Sequence, residues 1–413
     1  MKSKKEKRPN ILVSISDIHI EDGNASRLAN ELFNHEKGFL CKVKEVIDLC
    51  KEEKIKFMGV TITGDMFHKI LSNNGPGAKL ASDLVNALIN IIVLSEDAHL
   101  IILKGTHGHD YSQLNVFKSL MKNYPGKIFI IDEVCTLNIN NYDILCIPEQ
   151  YMTNQDEFYA EYFSKKYDII LHHGFFDFNC FSKNEKEKSM PNMPIFKSEQ
   201  FLKMARLTIS GHDHERKSYK DQIHYNGSFS THCFADHQKK GFLTHYIDAD
   251  ETVTEFVENE LAPIFKTFQI HEIMKREFED VDFEYVVKRI KTVYKKYDYL
   301  RIKIPTEFIS MHPGMLEMLR EYFVQEGKKL VLEGSGVVLK DGESVIEFSD
   351  DDEGIVEADN SESSFVEKYQ FLLDEEIPLT EKIMEFIKKK HGKKIEDIDL
   401  DDEFINYSIN VEK

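Results

Sequence analysis

Five apolar runs in this chain end in residues that bind metals or move protons. "VSISDIH" ends in Asp17 and His19, and "VTITGDMFH" brings Asp65 and His68. "LIILKGTHGHD" brings His107, His109 and Asp110, "DIILHHG" His172 and His173, and "LTISGHDH" His212 and His214. Carboxylate and imidazole donors without thiolate suit Mn²⁺, Fe²⁺ or Zn²⁺ and argue against a structural zinc site. One carboxylate can bridge two such ions about 4 Å apart, a pair that activates water for in-line attack at phosphorus. A histidine that binds no metal can protonate the leaving oxygen. Each fragment alone is common, and a lone buried histidine is more often a hydrogen-bonded core residue. Five in chain order, each closing an apolar run, point to one site.

Short apolar runs of this kind read as buried strands. From Asn10 to about Asp250 they are "NILVSIS", "KFMGVTIT", "HLIILK", "KIFIID", "YDILCI", "YDIILH", "ARLTIS" and "GFLTHYI", with helical patterns such as Lys42 to Lys54 and Ala78 to Leu94 between the early ones. Strands separated by helices predict an α/β fold with a largely parallel sheet, and the later strands predict a second sheet beside it. Ligands at the carboxyl ends of neighbouring strands then share one crevice. From about Pro263 the texture changes to a helix, strand, helix, strand pattern, a small α+β unit over 263–340. Asp341 to Ser364 holds ten acidic residues and no Lys or Arg, the composition of a solvated linker. Residues 365–413 follow, with two short amphipathic helical patterns.

The 413 residues exceed one typical domain, and 41% hydrophobic content suits a well-formed core. No run approaches the roughly 18 apolar residues of a membrane span, and the basic opening lacks a signal peptide's apolar region, which predicts a cytoplasmic protein. Six scattered cysteines without a CxxC pair predict reduced thiols. A net charge of −19 argues against tight unaided nucleic-acid binding, although about half of it sits in the acidic linker. Arg216, Lys217, Lys220, Lys239 and Lys240 follow the last motif and read either as the rim of a phosphate-binding groove or as ordinary surface charge.

"DIH", "GDMFH", "HHG" and "GHDHE", in this order, resemble the motifs of the calcineurin-like metallophosphoesterases. The "GDxFH" form and "GHDHE" resemble the SbcD-type DNA-repair nucleases, including the recombination nuclease subunits of large phages. The resemblance covers about residues 9–340, and more loosely the tail. It implies a two-sheet sandwich flanked by helices (1–262), a capping domain that selects DNA geometry (263–340), and a tail (365–413) that docks on an SbcC-type ATPase. It implies two divalent ions, Mn²⁺ first among them. Asp17, His19 and His214 would hold one, His172 and His212 the other, and Asp65 would bridge them. His68 would border the substrate phosphate and His109 would assist the departing oxygen. His173 and Asp213 would be hydrogen-bonding or exposed neighbours. DNA, the ATPase and a second copy of the chain are the implied partners.

The departure is at the third motif, where the family has Gly-Asn-His-Asp and this chain has "GTHGHD". Matching from the right gives His109 and Asp110 as the His-Asp pair and Gly108 in place of Asn; matching from the left gives Thr106 for Asn and His107 for His. The right-hand match is favoured because "HDYSQL" leads into a helix, and the seventh ligand is left to His107, a threonine hydroxyl or water. A phosphatase or cyclic-nucleotide phosphodiesterase could use the same site, but the serine/threonine phosphatase continuation "GDxVDRG" is absent. A non-catalytic scaffold that recruits the ATPase is the third reading, favoured only by the missing Asn.

Overall fold

The structure, a computed structural model, describes residues 9–334 apart from 153, 179–194, 250 and 326–329. The expected linker at 341–364 and helix pair at 365–413 lie outside the described residues. Within them the fold is α/β, and each strand-like run of the first 250 residues forms a strand. β1 (Asn10–Ile15), β2 (Lys56–Thr63), β3 (His99–Leu103) and β4 (Ile128–Ile131) run parallel in one sheet. β13 (Gly241–Ile247) and β14 (Thr252–Glu258) extend it antiparallel on the β1 side, giving six strands. The second six-stranded sheet has β7 (Tyr167–His173) at its centre, parallel to β6 (Tyr142–Ile147) and β10 (Ala205–Gly211). β5 (Cys135–Ile139) closes one edge, with β12 (Ile223–Tyr225) and β11 (Lys217–Tyr219) at the other. β8 (Phe175–Phe176) and β9 (Ile195–Phe196) form a short parallel pair. The edge strands β5 and β14, "CTLNI" and "TVTEFVE", mix polar with apolar residues and so escape a reading based on apolar runs.

Alternation along the strands builds the sandwich, because successive side chains leave a strand on opposite faces. Leu12, Met58, Ile101, Leu103, Ile144, Ile169, Leu171, Leu207 and Ile209 fill the space between the sheets. Ile11, Val13, Ile15, Val60, Ile62, Leu100 and Ile102 face the other way, under helices Phe39–Glu53 and Pro76–Val93. Leu145, Ile170, Tyr159, Phe176, Phe196 and Phe201 cover the outer face of the second sheet. β2 keeps its phase only through a bulge: Phe57 and Val60 share a face although three residues apart, and the register with β1 shifts at this point. Gly59 occupies the bulge with φ +132°, and a Cβ there would lie 1.9 Å from the His99 carbonyl oxygen. Only glycine fits both demands.

β15 (Phe265–Gln269), β16 (Tyr299–Ile304) and β17 (Leu330–Gly334) form a separate parallel sheet. Helices Phe283–Tyr294 and Met315–Gln325 pack with it around their own core of Val286, Ile290, Leu300, Ile302 and Leu319. Asp282 caps the first of these helices by accepting the Tyr285 N–H at 2.8 Å. No described helix is long and apolar enough to cross a membrane.

Candidate metal centre

The turns that follow β1 and β2 are laced together before any side chain is counted. Asp17 N donates to Gly64 O at 3.1 Å, His19 N to Asp65 O at 3.1 Å, and His68 N to Ile20 O at 3.0 Å. Asp17, His19, Asp65 and His212 all hold positive φ, from 48° to 92°. Non-glycine residues persist there only when their surroundings enforce it, and such residues concentrate at functional sites. Gly64 has φ +94° and leaves room for the ring of His173, whose Nδ1 a Cβ would approach to 2.1 Å.

Three groups of donors converge closely enough to hold a cation: Asp17, His19 and His214; Asp65, His173 and His212; and His19, His68 and His109. In the first, His19 Nε2 and His214 Nε2 are 2.9 Å apart, and His214 Nε2 is 3.9 Å from Asp17 Oδ1. Burial first, and then the neighbouring histidines, hold His19 well below the ordinary imidazole range. Burial takes His214 down to about 4. Two neutral nitrogens facing each other beside a carboxylate present lone pairs to a cation. Asp17 is fully buried, which pushes its carboxyl up to about 7 even though Ser16 Oγ and the His212 N–H donate to it. A cation beside it would remove that penalty.

The second group differs from the sequence reading. His173 and not His172 meets Asp65: His173 Nε2 is 3.4 Å from Asp65 Oδ1, while His173 Nδ1–H donates to Thr63 O at 2.7 Å. A ring whose Nδ1–H is tied to a carbonyl leaves Nε2 for a metal. His172 turns to the outer face of the sheet with Ile170, among Phe176, Phe196 and Phe201, and its Nδ1 meets Ser210 Oγ at 2.9 Å. The period of two along β7 forces the choice, since Ile169 and Leu171 already point between the sheets. Burial lowers His173, but Asp65, Asp17 and Glu149 outweigh it and carry the imidazole up to about 10. The same pairing drives Asp65 well below the usual carboxylate range against the upward push of burial.

At the third motif Thr106 and His109 both reach the site. The Thr106 N–H donates to Asp65 Oδ1 at 2.5 Å, and its hydroxyl is 3.2 Å from His212 Nδ1. His107 and Gly108 lie on the exposed side of the short helix His107–Asp110, with nothing within 4 Å of a Cβ at Gly108. His109 returns to the site, its ring 4.8 Å from that of His19, and donates through Nδ1–H to His68 O at 2.5 Å. Asp110 is buried and accepts the N–H groups of Gly105 at 2.6 Å and Phe67 at 3.1 Å, pinning the turn that carries Asp65. His68 lies beside His19, Nδ1 to Nδ1 3.4 Å.

Two site residues were missed from sequence. Glu149, just past β6, places Oε2 3.1 Å from His212 Nδ1. It ends an apolar run, "YDILCIPEQ", in the same style as the recognised motifs, so a signal was present. The His232 ring meets that of His19 edge-on at 4.9 Å, and its backbone N–H donates to Asp236, which Lys240 Nζ holds at 2.9 Å. No strand ends there to announce it. The basic residues read as a groove rim have acidic or aromatic partners within the chain. Lys217 pairs with Asp213, Lys220 with Glu199, Lys239 with Glu258 and buried Lys240 with Asp236, while Arg216 lies over Phe256.

No protein-family model and no curated protein matches the chain. Among solved structures, a novel archaeal phosphodiesterase aligns at 13% identity over 60% of this chain and 99% of its own, with a TM-score of 0.28. At that score the likeness carries no argument about function.

Proposed function

We propose that this chain is a two-metal phosphoesterase that hydrolyses DNA phosphodiester bonds, the nuclease subunit of an SbcCD-like repair or recombination complex. The convergence of Asp17, His19, Asp65, His173, His212 and His214 at the carboxyl ends of four parallel strands carries the reading. Asp17, His19 and His214 would hold one divalent ion, and His173 and His212 the other. Asp65 acts on members of both groups, raising Asp17 and His19 as well as His173, which supports it as the bridge. When bound, such a pair supplies positive charge that polarises the phosphoryl group and lowers the pKa of water, with Mn²⁺ the first candidate. His109, fixed by its Nδ1–H bond to the His68 carbonyl, would in its protonated form give the Nε2 proton to the departing oxygen and be left neutral with Nδ1–H in place. His68 borders the phosphate.

DNA, as distinct from other phosphate esters, is favoured by the "GDMFH" and "GHDHE" motifs and by the separate α+β unit, read as a DNA-selecting cap. The tail at 365–413 would seat on an SbcC-type ATPase, with the chain working as a homodimer. Deleting it should leave nuclease activity and abolish co-purification with that partner. The test of the reaction uses purified full-length chain and Mn²⁺ on labelled single- and double-stranded DNA. Bis(p-nitrophenyl) phosphate, p-nitrophenyl phosphate and a cyclic nucleotide serve as comparators. Cleavage of DNA and of the simple diester, abolished by EDTA, is expected. Turnover of the monoester or the cyclic nucleotide without DNA cleavage would replace the nuclease with a phosphatase or cyclic phosphodiesterase. Inactivity on every substrate would favour the scaffold.

A further inference from the structure

The second donor group is short of oxygen. Asp65 is its one carboxylate, and the Thr106 hydroxyl beside His212 is neutral. Glu149 closes that gap. Its carboxylate is buried, with Oε2 3.1 Å from His212 Nδ1, 3.3 Å from Thr106 Oγ1 and 3.8 Å from His173 Nε2. Its Oε1 is buried without a hydrogen bond of sound geometry, and the Tyr151 hydroxyl lies beside the same carboxylate. A buried carboxylate oxygen without such a bond is costly, and carboxylates so placed are paired or coordinate metals. The Glu149 carboxylate thus meets both histidines of one group.

We propose that Glu149 is a further protein ligand of the cation held by Asp65, His173 and His212, an inference that rests on the two-metal reading. It supplies a second carboxylate to a group otherwise made of Asp65 and two imidazoles. The centre then has three carboxylates, Asp17, Asp65 and Glu149. That set favours hard, oxygen-preferring ions such as Mn²⁺ over Zn²⁺.

The test compares Glu149→Gln and Glu149→Ala with the wild-type full chain by Mn²⁺ titration calorimetry and by the visible spectrum of the Co²⁺-loaded protein. Gln keeps the shape and the bond from His212 while removing the charge, and it carries the test should the Ala variant fail to fold. Wild type should bind two ions, and both variants should weaken one of them by more than the about 10–100-fold that follows loss of a group that only orients a ligand. The Co²⁺ bands of that ion should change in both. Unchanged affinity and spectrum in both variants would overturn the assignment. So would a Gln variant identical to wild type beside a weakened Ala variant, since Glu149 would then only position His212. A wild-type chain that binds no divalent ion would instead sink the two-metal reading itself.

Discussion

Exchanging the adjacent histidines of β7 should give opposite results. His172 is buried among Phe176, Phe196 and Phe201, and its hydrogen-bond partner is Ser210. His172→Ala should empty that cage at a cost of ~2–4 kcal/mol, the range for large-to-small core changes. For a domain of this size that is a fall in melting temperature of roughly 4–8 °C. His172→Leu should recover most of it. Leu refills the volume, and only one hydrogen bond worth about 1 kcal/mol is lost, because Ser210 still donates to Gly211 O. Neither variant should change the number of bound ions. His173→Leu should keep the volume and lose the ion shared with His212. The assay pairs thermal melting in EDTA with metal counting after Mn²⁺ loading and desalting. A folded His172→Leu protein that lacks an ion, beside a His173→Leu protein that keeps two, would refute the strand-phase argument.

Four further outcomes separate the parts of the account. His109→Ala should lower turnover by about 10²–10⁴-fold with both ions retained, while His107→Ala, on the exposed side of the helix His107–Asp110, should behave as wild type in a kcat measurement. Gly59→Ala should cost at least about 2 kcal/mol in a urea melt, because it combines a disfavoured φ with a backbone clash. His245 is buried between Thr254 Oγ1 and Ser14 Oγ, and burial and then His224 hold it well below the ordinary histidine range. A folded-state pKa below the unfolded one gives stability that is present above about pH 6.5 and lost as pH falls, by up to about 1.4 kcal/mol per pH unit. His245→Gln should therefore flatten the acid side of the stability curve measured by urea unfolding in EDTA, and an unchanged slope would contradict the buried neutral ring.

Much of this was legible because metal-type residues close apolar runs, and a parallel sheet gathers the ends of its strands. Asp17, His19, Asp65, His212 and His214 could be read in this way. His172 and His173 could not be told apart, because "YDIILHH" is buried on both faces and carries no polar alternation to mark which parity faces the site. The third motif resisted both linear matches because two residues, His107 and Gly108, leave the site and the chain returns. They form the outer side of a single helical turn, His107–Asp110, which is too short to show a periodic pattern. The bulge at Gly59 is hidden in the same way within the continuous strand "KFMGVTIT". The two readings of the basic residues after "GHDHE" stayed open in the sequence for a different reason. Their acidic partners are up to 21 residues away along the chain or on another strand, as with Lys220 and Glu199.

The central claim is a pair of cations that share Asp65, and counting ions in wild type and Asp65→Asn tests it most directly. Asn keeps the size of the side chain while removing the charge that faces both groups. Mn²⁺ titration calorimetry should give two ions per wild-type chain and severe weakening of both in the variant, whose far-ultraviolet circular dichroism should match wild type. A correctly folded Asp65→Asn protein that binds two ions as tightly as wild type, or loses only one, would contradict the shared carboxylate and the centre built on it.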